Sequence, residues 1–259
     1  MQPILHIEKL SKQFGGIVAI KDVTLEVEKG LIVSIIGPNG AGKTTFFNLI
    51  TGFYIPDSGH ILFEDKRVEG LPPHRLAKAG IARTFQNIRL FPWMTVQDNL
   101  IVARRAKCKS GLFDALIQSP RNKKDEKDSK AEVEQILAYF QLDNKRHHQA
   151  KNLSYGEQRR LEIARALALE PKILLLDEPT AGMNPAESEN CVDSVFNLNE
   201  ETGITVILIE HNMNVVMGIS DRIMVLDHGE KIAEGIPEEI QRDENVIRAY
   251  LGEDYFGVT

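Results

Sequence analysis

Cysteine is nearly absent from this chain of 259 residues, with Cys108 and Cys191 far apart and outside any C-x-x-C spacing. That excludes a disulfide scaffold and a thiolate metal centre, and it fits free thiols in a reducing cytosol. Long apolar runs are also missing. The longest, around LIVSII and ILLL, have the length of strands and fall far short of a membrane span. The opening residues, MQPILHIEKL, show no charged leader ahead of a long apolar region, so a cytosolic protein without a secretory signal is expected. There is no basic excess either. With 31 Lys and Arg against 37 Asp and Glu, the net charge of −6 argues against nucleic acid as a general partner. What remains, 42% hydrophobic and 26% charged residues, is ordinary for a globular protein large enough for one α/β domain or two small ones.

Short β-rich runs alternate with helical patterns, which predicts a mostly parallel sheet covered by helices. LIVSIIG, GHILFED, ILLLDEP and TVILIEH read as strands, and RIMVLDHGEKIAEG as a hairpin-like pair. KTTFFNLITG reads as a helix closed by Gly52, and PPHRLAKAG as a short helix with proline at its start and glycine at its end. Asn184 and Pro185 form a cap and first position for a further helix. Helical patterns dominate between Met94 and Leu169, so a helical subdomain inserted into the α/β core is expected there. No internal repeat is visible.

GPNGAGKTT, formed by Gly37, Pro38, Asn39, Gly40, Ala41, Gly42, Lys43, Thr44 and Thr45, fits G-x-x-x-x-G-K-[ST] with a strand before it and a helix after. Such glycines let backbone N–H groups converge on phosphate oxygens at a positive helix end. Lys43 is expected to reach the β- and γ-phosphates, the Thr44 hydroxyl to ligate Mg2+, and Thr45 to touch a more internal phosphate. Asp177 and Glu178 end a buried strand. The first is suited to hold Mg2+ through its water shell; the second points to the opposite face of an extended chain and is free to orient or deprotonate an attacking water. His211 ends the next strand, either as a structural imidazole or as a contact to phosphate or water. Gln86 closes IARTFQ as a strand-end amide or as a contact to Mg2+ and water. The motif NLSYGEQRRLEIARAL opens a second helix with a small polar residue and a glycine, a further candidate anion site in a chain that already has one.

In order, GPNGAGKTT, RTFQ, LSYGEQ, LLLDEP and LIEH resemble the ATP-binding subunits of ABC transporters, and the resemblance covers nearly the entire chain. It implies a P-loop α/β fold of the ABC ATPase kind: a RecA-like core with an antiparallel β subdomain and an inserted helical subdomain. The implied division is residues 1–90 and 166–259 for the core, β subdomain and C-terminal helices, and residues 91–165 for the helical signature part. The resemblance also explains the second anion site. Ser154, Tyr155, Gly156 and Glu157 would face the γ-phosphate of ATP bound to another subunit in a head-to-tail dimer, so each ATP lies between Lys43 of one chain and Ser154 of its neighbour. Glu178 is then the catalytic base, His211 the switch histidine and Gln86 the link to the membrane partner. Thr44, Gln86 and Asp177 hold the metal, and Phe14 matches the aromatic that stacks on adenine, the other reading being a strand-end core residue. Two departures stand out. Tyr155 and Glu157 replace the first Gly and the Gln of L-S-G-G-Q, bringing a bulky ring and an extra acid, and Asn184 stands where the family often has Asp.

GPNGAGKTTFFNLITGFYIPDSG, IARTFQNIRLFPWMTVQDNL and VMGISDRIMVLDHGEKIAEG look most like the ATPases of branched-chain amino-acid uptake. Urea or amide importers and lipopolysaccharide exporters are related alternatives, and a soluble ATP-gated clamp is a third class. A GTPase reading lacks N-K-x-D. The implied partners are transmembrane permease subunits, a second ATP-binding subunit (a sister or another copy) and, indirectly, a periplasmic or extracellular solute-binding protein. The implied location is peripheral, on the cytoplasmic face of the membrane. Between Arg104 and Lys130 stand nine Lys or Arg against four Asp or Glu, and Leu112, Phe113, Leu116 and Ile117 would share one helical face. That segment packs on its own subdomain or touches the membrane partner or lipid.

Overall fold

The computed structural model describes residues 3–105 and 120–251. Its chain opens with two long strands, β1 (Leu5–Phe14) and β2 (Ile17–Val27), which pair antiparallel and join β4 (Ser58–Phe63) and β5 (Lys66–Arg67) in a four-stranded sheet of order β2-β1-β4-β5. Leu5 and Ile7 point inward and His6 and Glu8 away, as alternation demands. The register then shifts around Lys9, whose φ is 44°, so that Leu10 resumes the inward face.

The larger sheet has the order β10-β9-β3-β8-β7-β6, built from β3 (Ile32–Ile36), β6 (Ile81–Arg83), β7 (Ile173–Asp177), β8 (Thr205–Ile209), β9 (Arg222–Asp227) and β10 (Glu230–Gly235). All its pairs are parallel except β9 with β10. Its central strands are apolar runs because both faces are covered. Val33, Ile35, Ile173, Leu175, Ile207 and Ile209 pack with helix α1 (Lys43–Ile50) and the antiparallel sheet. The alternate residues Leu174, Leu176, Val206 and Leu208 pack into a second core with α3 (Val96–Arg105), α4 (Pro120–Tyr139), α5 (Tyr155–Leu167) and α6 (Pro185–Thr202). The helix α2 (Pro73–Ala79) precedes β6, and α7 (Met213–Ile219), α8 (Pro237–Ile240) and α9 (Glu244–Leu251) follow β8. Between Met94 and Leu169 the described residues form helices and turns but no named strand, as the pattern of the sequence predicts. Leu112, Phe113, Leu116 and Ile117 lie outside the described residues. Because β3, β6, β7 and β8 are parallel, their C-terminal ends open on one edge of the sheet, where an α/β fold places its ligands.

Candidate functional site

The loop after β3 turns into α1 through three glycines at positive φ: Gly37 at 150°, Gly40 at 84° and Gly42 at 101°. Two of them are forced by space. A Cβ on Gly37 would stand 2.0 Å from the Leu226 carbonyl oxygen, and one on Gly42 would stand 2.5 Å from that of Ala19. Neighbouring strands thus press on the loop from outside and keep it tight. Gly42 caps α1 without a side-chain hydrogen bond, and no acid occupies the first turn, so the leading amides of the helix keep their positive end for a ligand. Lys43 is buried and its Nζ donates to the carbonyls of Gly37 (2.7 Å) and Pro38 (2.8 Å). Burial draws its pKa down, against the opposing pull of Glu178 and Asp177. Thr44 is exposed at the start of α1, and Thr45 is half-buried.

Asp177 ends β7, buried, with Oδ2 in a 2.6 Å ion pair to Arg83 on β6. Arg83 also donates to Asn48 (2.6 Å) and Thr51 (3.1 Å) of the segment behind the loop. Glu178 is not left free. Its side chain accepts a 3.1 Å hydrogen bond from the Gln86 amide through Oε2 and shares a 2.6 Å one with His211 Nε2 through Oε1. The reason is that the chain is no longer extended: Glu178 has φ 49°, in the left-handed region, which swings its carboxylate toward the ends of β6 and β8. Gln86, Glu178 and His211 therefore form one hydrogen-bonded row across three strand ends, beside Lys43 and Asp177.

Phe14 closes β1 at 41% exposure, with its ring 5.0 Å from that of Tyr54 and Lys12 Nζ 5.5 Å from its centre. A core role for this ring is thus excluded; it faces solvent. Its hairpin partner β2 carries the Ala19 carbonyl that confines Gly42, which brings this aromatic arm up to the glycine loop.

Ser154 is the N-cap of α5, and its hydroxyl accepts from the Glu157 amide at 3.4 Å. Glu157 reaches back to the Ser154 amide at 2.9 Å and takes the Lys145 ammonium on its other oxygen. The extra acid of this motif is therefore consumed within the chain. Burial raises its pKa, but the hydrogen bonds from Lys145 and Ser154 outweigh that and hold it below the usual carboxylate range. The Tyr155 ring lies against Gly182, where a Cβ would come within 3.0 Å of its Cε1, and a Cβ on Gly156 would stand 3.0 Å from the Glu187 carboxyl. Glu187 completes the box that Asn184 begins at the head of α6. Asn184 thus serves as a cap, with Pro185 at the first position, as its sequence predicts.

The structure adds residues that the sequence did not single out. Arg83 and Arg159 are long cations buried among carbonyls and rings, and Glu210, 3% exposed, accepts from the amides of Thr180, His211 and Asn212 and the Thr180 hydroxyl. Glu210 had one visible signal, a charge at the end of the apolar run TVILIEH; Arg159, set among the charges of GEQRRLE, had none.

Comparisons with known proteins bear on what this edge binds. A family model described as ABC transporter matches residues 20–181, and one described as branched-chain amino acid ATP-binding cassette transporter matches residues 230–255. The chain is 47% identical over 252 residues to the high-affinity branched-chain amino acid transport ATP-binding protein LivG of Escherichia coli (strain K12), covering 97% of this chain and 99% of that one. Among solved structures, the ADP conformation of MJ1267, an ATP-binding cassette of an ABC transporter, superposes with a TM-score of 0.84 at 33% identity over 98% of this chain and 100% of the other. A dimeric post-hydrolysis state of the cassette MJ0796 bound to ADP and Pi gives 0.76 at 29% identity, covering 90% and 98%.

Proposed function

This chain belongs to the ABC transporter family, and from that premise we propose that it is the ATP-hydrolysing subunit of an importer that energises uptake of branched-chain amino acids. The observation that supports the chemistry best is the row Gln86–Glu178–His211 set beside the Lys43 loop. Leucine, isoleucine and valine as solutes rest on the likeness to LivG and on the second family model.

In this reading the amides of residues 37–45 and the first turn of α1 cradle the triphosphate, and Lys43 exchanges its two carbonyl partners for phosphate oxygens. Glu178, held from both sides, orients the water that attacks the γ-phosphate in line and takes its proton. His211 and Gln86 fix the carboxylate and sense the γ-phosphate. Phe14 stacks on adenine. The oxygen donors Thr44, Gln86 and Asp177 suit a hard cation such as Mg2+, and the Arg83 pair orients Asp177 as an outer partner orients a metal-binding carboxylate. When bound there, the metal would neutralise charge developing on the β- and γ-phosphates.

Ser154, Tyr155, Gly156 and Glu157 would close over the ATP of a second subunit, and residues 91–165 would act as the arm that presents them. The apolar cavity of about 350 Å³ between Phe53, Phe85, Phe91 and Leu169, next to Gln86, supports docking of a permease segment on the cytoplasmic face of the membrane. Among the described residues no helix is long and apolar enough to cross a membrane, so anchoring falls to that partner. The test is Glu178→Gln in the full chain with its copurifying subunits. ATP binding is expected to persist while hydrolysis falls by on the order of 100-fold or more; normal turnover would remove the base assignment.

A further inference from the structure

Arg159 is the largest fully buried side chain among the described residues, with Glu162 1% exposed beside it on α5. A buried pair of this kind is costly to desolvate unless its remaining donors are satisfied. Here both Nη nitrogens of Arg159 are partnered and only its Nε is not, and the partners are informative. Arg159 Nη1 donates to the Phe85 carbonyl at 2.5 Å and to Glu162 at 2.9 Å; Nη2 donates to the carbonyls of Gln86 at 2.9 Å and Glu178 at 3.2 Å. Glu162 in turn accepts the Arg89 amide at 3.1 Å. One side-chain pair on one helix turn therefore grips the Gln86 loop at residues 85, 86 and 89 and the backbone of Glu178, whose φ of 49° lies in the left-handed region.

We propose that Arg159 is a positioning residue for hydrolysis. It locks the main chain of Gln86 and Glu178 to the helix whose first residues would contact the neighbour's nucleotide. The inference rests on the reading above of Glu178 as the base and α5 as the signature helix. Its physical basis is the planar guanidinium fork, which reaches three carbonyls and a carboxylate at once; a lysine ammonium on a shorter geometry cannot. Because the contacts fall on backbone atoms, the identity of the Glu178 and Gln86 side chains is untouched, and only their placement depends on Arg159. Displacement of α5 by a neighbour would then carry base and amide together, making water attack conditional on closure.

The test compares Arg159→Lys and the double variant Arg159→Met with Glu162→Gln, in the full chain with its copurifying subunits. The double variant leaves no orphaned carboxylate and keeps an acceptor oxygen for the Arg89 amide. The expected result is a fall in kcat of on the order of 10- to 100-fold in both, with the KM for ATP and the affinity for a fluorescent ATP analogue changed by less than about twofold. The unfolding midpoint of the double variant is expected to fall, because three carbonyls lose their donor, while the variant stays folded at the assay temperature. A folded double variant with parental kcat would overturn the proposal, as would a KM that rises in step with the loss. A parent chain that hydrolyses no ATP would instead remove the hydrolysis reading, and the positioning role with it.

Discussion

At the scale of the residue, environment decides what a side chain can do more than its type does. Glu178 and Glu210 are neighbours on adjacent strand ends, yet one carboxylate meets Gln86 and His211 at the open edge while the other is saturated by amides inside. Only the first can handle a water. Cys191 gives a sharper case. It is buried, and burial lifts its thiol to about 12, which removes the reactive thiolate at neutral pH. The native chain is therefore expected to leave Cys191 unmodified by iodoacetamide at pH 8 over minutes and to alkylate it fully in denaturant, as mass spectrometry of its peptide would show. Rapid labelling of the native fold would contradict the packing of α6 on the sheet.

At the scale of the element, helix starts do two kinds of work in this chain. The head of α1 keeps its amides uncapped beside glycines, whereas α5 and α6 each close theirs with a box of a small polar residue and a glutamate. The first is open to an anion. The others close their own helix ends within the chain, and the two boxes lie side by side, since a Cβ on Gly156 would come within 3.0 Å of the Glu187 carboxyl. Asn184→Ala should remove the acceptor for the Glu187 amide and cost about 1 kcal/mol of stability. A loss measurable in urea unfolding with no change in nucleotide affinity is expected; an unchanged midpoint would show the box to be idle. Helices were legible from their punctuation, as in α2 with Pro73 and Gly80, because those residues act on the backbone locally. The strands β1 and β2 were not, because the register shift at Lys9 breaks the alternation that would reveal them.

At the scale of the whole molecule, the topology gathers residues from β3, β6, β7 and β8 on one edge, while Ser154 opens a helix that leaves that edge. If two chains shared their nucleotides head to tail, binding would be coupled to association. In light scattering, Glu178→Gln with ATP is expected to run at twice the mass it has with ADP, either with itself or with its sister subunit. A mass independent of nucleotide in both settings would remove the shared site.

The sequence by itself determined the glycine loop, the acids Asp177 and Glu178 and the order of the motifs, because each is a local pattern whose chemistry depends on neighbours along the chain. It also carried the family likeness. Only the tertiary structure decided that Glu178 is clamped rather than free, that Glu157 is neutralised by Lys145, and that Arg159 holds two distant segments together. Those outcomes hang on contacts between residues far apart in the chain, which exist only once the parallel sheet has brought its strand ends side by side.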